Sequence, residues 1–342
     1  MDVTNLITEQ NENSVIFLLG AGASVKAGMS KVAQLTKELR SSLTNKRPEF
    51  LQVFELIEKK DQSITENYEH FFEWISLLLR VQKEPFSELI HTYIAPSLIE
   101  VMYDLASVVG EEVAKLLSLC SKKPDYDPNY LARLSDFLPD KGRLKVFTLN
   151  YDCCVEDACR NAGIDISTGF DPITKKWNPS LFETNICGIN LYKLHGSLRW
   201  FPVRNNAAAR NRLYLMEFNP EEQLSFQANY KEHLSPELIL GPGDKVQHDD
   251  PYLTLFYKFR ESMFKARMCV VIGFGYGDPH IRAIIDEAVD MKISILNVNI
   301  EKPTGRYFDT AHYHHLGERA EVALLDGSIL RYRWKLSRAN KE

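Results

Sequence analysis

Ser14-Val15-Ile16-Phe17-Leu18-Leu19 is a short apolar run with β-branched and aromatic members. It ends on Gly20-Ala21-Gly22-Ala23-Ser24 and gives way to a helix-compatible stretch through Arg40, which predicts strand, tight glycine turn and helix. Between about 47 and 136 no comparable strand occurs. Amphipathic segments occur there instead, with Phe71, Trp74, Ile75 and Leu78 at i, i+3, i+4 and i+7, and they predict a helical module inserted after the first βα unit. Strand-like runs return at Leu144 to Leu149, Ile189 to Leu194, Leu238 to Leu240, Met268 to Ile272, Ile293 to Val298 and Glu321 to Leu325. The segment Arg204 to Lys231 is polar and irregular and predicts a loop or small excursion. Alternation of β and α predicts an α/β fold built on a doubly wound, Rossmann-like, largely parallel sheet. The expected layout is a single domain, with a Rossmann core at 1–46 and 137–342 and a helical insertion at 47–136.

The 342 residues, 44% hydrophobic and 25% charged, suffice for one extended domain with an insertion. A formal charge of −5 supplies no net basic field, so no direct nucleic-acid binding is expected. The polar, acidic start lacks the pattern of a secretory signal, and no stretch approaches the roughly 20 apolar residues that span a bilayer. Cysteines at 120, 153, 154, 159, 187 and 269 form no C-x-x-C pair and read as reduced thiols in a cytoplasmic protein. Cys153 and Cys154 read as packing residues at a helix start. His312, His314 and His315 lack companion ligands at zinc spacing, so a polar loop and no metal site are expected.

A glycine turn between a buried strand and a helix lets backbone N–H groups approach a pyrophosphate, and Gly20, Gly22 and Ser24 are placed for that. The same glycines also suit a purely structural tight turn. Asp278 and Pro279 suit the N-cap and first position of a helix from His280 to about Val289. Glu66, Glu69 and Glu73 could suggest paired acids, but they read more simply as solvated helix faces or as intersubunit salt-bridge partners.

The stretch GAGAS-x-x-AG departs from the dehydrogenase fingerprint and resembles the first sirtuin motif. The further motifs follow in sirtuin order. Thr148-Leu149-Asn150-Tyr151-Asp152 resembles the T-x-N-x-D element, and Leu194-His195-Gly196-Ser197 resembles the H-G element. Gly273-Phe274-Gly275 ends a later strand, and Val298-Asn299-Ile300-Glu301 resembles the adenosine-binding strand end. The resemblance implies NAD as substrate, held by Gly20, Ala21, Gly22, Ala23, Ser24, Gly273, Phe274, Gly275 and Asn299. It implies catalysis by Asn150, His195 and Asp152: Asn150 on the nicotinamide ribose and an attacking water, Asp152 on the nicotinamide amide. His195 fits the role of base because an unperturbed imidazole titrates near 6.5.

Deacylating sirtuins carry a four-cysteine zinc ribbon and a P-D-F-R-like element, where this chain has no such cysteines and Met29-Ser30-Lys31-Val32. Through its T-L-N-Y-D, H-G-S and G-D-P-H-I stretches the sequence resembles divergent sirtuin-like effector domains of bacterial anti-phage defence, which implies an NAD hydrolase releasing nicotinamide and ADP-ribose. That resemblance also implies a homo-oligomer and a HerA-like ATPase partner. Two other readings stay open at this level: a module that senses NAD or ADP-ribose without turnover, and an NAD-dependent deacylase or ADP-ribosyltransferase.

Overall fold

The structure is a computed structural model that describes residues 14–81, 94–204, 213–230, 235–241, 249–305, 308 and 310–332. Seven parallel strands form the main sheet among these residues. They are β1 (Val15–Leu19), β2 (Arg143–Thr148), β3 (Ile166–Ser167), β4 (Gly188–Lys193), β7 (Met268–Ile272), β8 (Ser294–Val298) and β9 (Tyr313–Leu316). They lie in the order β3-β4-β2-β1-β7-β8-β9. The chain builds outward from β1 to one side through β2 and then crosses to the other side at β7. Open sheets of this kind present their ligand crevice outside the carboxyl ends of the strands where that reversal occurs.

Strand alternation divides the core in two. Phe17 and Leu19 of β1 face one way, with Val146, Leu191 and Val270; Ile16 and Leu18 face the other, with Phe147, Tyr192 and Val271. The first face is covered by α1 (Val32–Lys46), α2 (Phe50–Glu58), α3 (Tyr68–Val81) and α4 (Pro96–Cys120), together with α5 (Cys154–Ala162). The second is covered by α7 (Tyr252–Lys265) and α8 (Pro279–Asp290). The predicted apolar stripe on α3 is core: Phe71 and Ile75 are buried, and Trp74 and Leu78 pack against them. Phe71 stacks on Phe54 of α2 at 4.0 Å between ring centres.

The insertion is tied to α1 rather than attached beside it. The Thr36 hydroxyl accepts a hydrogen bond from the Tyr68 backbone N–H at 2.9 Å. Glu112 of α4, buried to 2%, accepts from Ser42 at 2.5 Å and pairs with Lys46. The boundary expected at 46/47 therefore falls between helices that share one core. Although burial penalises its charge, the hydrogen bonds from Lys46, Ser42 and Lys115 hold the Glu112 carboxyl below the usual carboxylate range.

Four expectations are corrected. Glu321 to Leu325 is not a strand but lies in a helix, α9 (Ala320–Leu325); Ala320, Ala323 and Leu324 form its buried stripe. The seventh strand is instead β9, which carries two of the three histidines expected in a loop. His314 and His315 pair in register with Leu296 and Asn297, and the Asn297 amide lies 3.0 Å from His315 Nδ1. Leu238 to Leu240 forms only a single antiparallel bridge, to Gly196. The stretch Arg204 to Lys231, expected to be irregular, holds β6 (Leu213–Glu217), paired antiparallel with β5 (Trp200–Arg204) at its start, and then α6 (Pro220–Tyr230).

Candidate active site

The helix expected directly after the first glycine turn does not start there. Ala21–Ala23 form one 3-10 turn, and α1 begins only at Val32. The N–H groups of this turn are also committed: Gly20 to Ile272 O at 2.9 Å, Gly22 to Gly273 O at 2.9 Å, Ala23 to Gly20 O at 2.9 Å and Ser24 to Ala21 O at 3.1 Å. Two of these bonds close the turn on itself and two tie it to β7 and the residue after it.

The glycines are needed because two loops cross here at backbone contact. Gly273 follows β7 with φ of +67°, and a Cβ on it would lie 2.2 Å from Ala23 N. A Cβ on Gly20 or Gly22 would meet the Gly273 backbone at 2.7 Å. Thus the loops after β1 and β7 are locked together at the centre of the sheet.

The T-L-N-Y-D loop after β2 is built onto the same junction. The Asn150 amide donates to Gly20 O and to Ser24 Oγ, both at 3.0 Å. Asp152 accepts from the Cys154 N–H at 3.0 Å and so covers the first turn of α5. Its carbonyl accepts from Lys193 Nζ, and the fully buried Lys193 ammonium pairs with Glu156 Oε1 at 2.9 Å. That neighbouring carboxylate keeps the ammonium charged against the burial penalty. Cys153 and Cys154 stand where expected, at the cap and first residue of α5, and burial raises both thiols; Cys153 reaches about 12.

The H-G loop after β4 turns at Gly196, where φ is +95° and a Cβ would lie 2.3 Å from Glu237 O. Ile239 N–H donates to His195 O at 2.9 Å, so the segment expected as a strand serves to hold this turn. His195 is 2% exposed, and its Nε2 lies 3.1 Å from Asp278 Oδ2. Asp278 caps α8 as the sequence predicts: Oδ1 accepts from His280 N at 2.9 Å and Ile281 N at 3.1 Å. The pairing with His195 was not predicted; capping explains only one oxygen of the carboxylate.

A cleft of about 860 Å³ opens over these strand ends. Gly20, Ala21, Asn150, Asp152, His195, Gly273, Phe274, Gly275 and Asp278 line it from the sheet side. Ser63, Glu66, Asn67, Tyr68, Glu69 and His70 line it from the insertion, so the exposed Glu66 and half-buried Glu69 border the cleft. Gly22, Ala23 and Ser24 do not line it: Ala23 and Ser24 are buried, and Gly22 is exposed beside it. No Lys or Arg is among the described lining residues, whereas five carboxylates are: Glu66, Glu69, Asp152, Asp278 and Glu301. An adjoining cleft of about 590 Å³ shares Phe274, Gly275 and Glu301 and adds Arg282, Lys302 and Asn299. There Asn299 Nδ2 donates to Phe274 O at 2.7 Å, joining the ends of β7 and β8.

Residues 144–294 match the SIR2-like domain. The match runs from β2 to the first residue of β8 and so takes in the T-L-N-Y-D, H-G-S and G-F-G-Y-G-D loops, while the first glycine turn and the insertion lie outside it. Among solved structures, a Sir2 homologue–NAD complex is 15% identical over 98% of this chain and 95% of that chain, with a TM-score of 0.43. A Sir2 homologue mutant bound to 2′-O-acetyl ADP-ribose is 15% identical, with 98% of each chain covered and a TM-score of 0.44. Sir2Tm bound to a propionylated peptide is 13% identical over 96% of this chain and 100% of that one, at 0.43. No curated protein matches the chain.

Proposed function

We propose that this chain is an NAD glycohydrolase that cleaves the nicotinamide–ribose bond and releases nicotinamide and ADP-ribose. The observation that carries the reading is the convergence of Asn150 and Asp152 from the end of β2 and His195 from the end of β4 into one cleft. The match of residues 144–294 to the SIR2-like domain supports NAD as the substrate.

The electrostatics of the two clefts suit the two ends of NAD. Its nicotinamide end is cationic, and the C1′ carbon gains positive charge as the glycosidic bond breaks. The acidic lining of the larger cleft stabilises that charge where it develops. The pyrophosphate end is anionic and fits the neighbouring cleft with Arg282 and Lys302. In the step itself, the C1′–N bond breaks and neutral nicotinamide departs with the bonding pair. A water oxygen bonds to C1′ and passes its proton to His195. Asn150 is assigned to the ribose and the water, Asp152 to the nicotinamide amide.

Gly22, Ala23, Ser24 and Gly273 act in this reading as the rigid floor. Gly20, Ala21, Phe274, Gly275 and Asn299 are assigned to contacts with NAD. The biological role proposed is that of an anti-phage defence effector that depletes NAD when activated, working as a homo-oligomer beside a HerA-like ATPase. The deep insertion wall on the cleft supports control through assembly, since a shift of α3 would change access for NAD.

Wild-type protein and His195→Ala, at matched oligomeric state, test the assignment. Loss of NAD turnover in a folded variant is expected, by about 100- to 10,000-fold for a positioned proton acceptor. Full turnover in that variant would remove His195 from the mechanism.

A further inference from the structure

The insertion's wall of the larger cleft carries a hydroxyl and an imidazole in contact. Ser63 Oγ lies 2.8 Å from His70 Nδ1, and both residues line the cleft together with Asn150 and Asp152. They come from different elements, Ser63 from a 3-10 turn (Gln62–Thr65) and His70 from the first turn of α3. Burial of Ile64 and Tyr68, and the hydrogen bond from the Tyr68 N–H to Thr36, already hold this segment on the core. Ser63 itself is exposed and His70 half-buried, so the pair does not serve packing.

Asp61 sets the hydroxyl in place. Its Oδ1 accepts from the Ser63 N–H at 2.9 Å and its Oδ2 from Trp74 Nε1 at 2.9 Å. Hydrogen bonds to Ser63 and Trp74, and His70 close by, hold the Asp61 carboxyl below the usual carboxylate range, so it stays ionised beside the pair. A serine hydroxyl is a weak nucleophile until an adjacent base takes its proton, and an imidazole at hydrogen-bond distance is the commonest such base. A cleft of about 860 Å³ encloses most of the surface of a ligand that fills it, so NAD held against the sheet side also meets this wall.

We propose that Ser63 is a site of self-ADP-ribosylation, its hydroxyl attacking C1′ of bound NAD in place of water with His70 as the base. The inference rests on the reading of this cleft as the place where the nicotinamide–ribose bond breaks. In the step, the C1′–N bond breaks and neutral nicotinamide leaves with the bonding pair. Ser63 Oγ forms the new bond to C1′, and the hydroxyl proton passes to His70 Nδ1; nothing is oxidised or reduced. The attached ADP-ribosyl group stays in the cleft and blocks the next NAD, so each transfer ends turnover by that chain.

Wild type, Ser63→Ala and His70→Gln, each in every oligomeric form, are incubated with NAD carrying a radioactive adenylate phosphate. Two quantities are read: nicotinamide released and label retained on the denatured chain. Wild type is expected to release nicotinamide and to accumulate label towards one ADP-ribosyl group per chain, localised to Ser63 by peptide mass spectrometry. Ser63→Ala is expected to release nicotinamide without retaining label, and its turnover should not fade over successive additions of NAD as that of wild type does. His70→Gln should label about 100-fold more slowly, the lower end for loss of a positioned proton acceptor. Neutral hydroxylamine cleaves the ester that Glu66 or Glu69 would form and spares the O-glycosidic bond to serine, so label that survives it belongs to a hydroxyl.

Nicotinamide released by wild type with Ser63 unmodified would overturn the proposal and leave the hydrolytic reading standing. So would label that Ser63→Ala keeps, label that hydroxylamine removes in full, or equal labelling of Ser63 by free ADP-ribose, which needs no NAD cleavage. An undiminished labelling rate in His70→Gln would overturn the role of His70. Neither nicotinamide nor label from wild type would overturn both readings.

Discussion

Asn150 shows how a residue can carry architecture and chemistry together. Its amide ties the T-L-N-Y-D loop to Gly20 and to Ser24, at the point where the loops after β1 and β7 cross. Asn150→Ala should therefore abolish turnover and also cost about 1–2 kcal/mol, since two half-buried hydrogen bonds are lost. Urea denaturation of the variant measures the second effect. An unchanged midpoint would mean that the amide makes these bonds at no net gain over water. The sequence identified Asn150 and His195 through their strand-end motifs, but not what they touch. Pairing of His195 with Asp278 joins residues 83 positions apart, and no local spacing encodes that. The ties of the glycine turn to β7 were hidden for the same reason, because the acceptors of the Gly20 and Gly22 N–H groups are Ile272 and Gly273.

Among the elements, β1, β2, β4, β7 and β8 were legible because each is an apolar run closed by a turn residue or motif, as buried parallel strands are. Short segments at the sheet edge were not. Glu321 to Leu325 has a composition that either period accommodates, and packing of Ala323 and Leu324 selects the helix. Tyr313–Leu316 is polar because an edge strand has one neighbour and a partly open face.

That edge yields a prediction. Burial, helped by His312 for His314 and by Lys302 for His315, holds both imidazoles below their ordinary value. The folded state thus favours the neutral rings, and their contribution is present above about pH 6.5 and is lost as pH falls through the lowered folded value. Stability of wild type should decline as pH falls below about 6.5, and His314→Gln with His315→Gln should flatten that decline. Identical slopes in urea unfolding at each pH would contradict it.

The clamp between β4 and α5 gives another. Lys193→Met leaves Glu156 buried without its partner and should cost about 3–5 kcal/mol, whereas adding Glu156→Leu should restore much of the loss. A double-mutant cycle by denaturation reads the coupling. Additive effects would mean that Lys193 acts through the Asp152 carbonyl alone.

For the whole molecule, the doubly wound core and its helical insertion follow from the alternation of patterns, and the insertion's place on the cleft does not. Glu66 and Glu69 gave no sign of that in sequence; only the packing of α3 on α1 brings them there. The assembly proposal predicts a homo-oligomer joined in large part through the insertion, whose surface exposes Leu51, Leu77, Tyr103 and Leu119. Phe86 and Tyr93, aromatics of the same insertion that would be further anchors, lie outside the described residues. Light scattering across concentration checks the state, and a monomer with full constitutive turnover would contradict both assembly and gating.

The central claim is tested most directly by incubating each oligomeric form with NAD, alone and with a candidate HerA-like ATPase, and quantifying products by chromatography. The account predicts nicotinamide and ADP-ribose in equal amounts, with neither formed by His195→Ala. Intact NAD in every form, with wild type folded and able to bind it, would contradict the account.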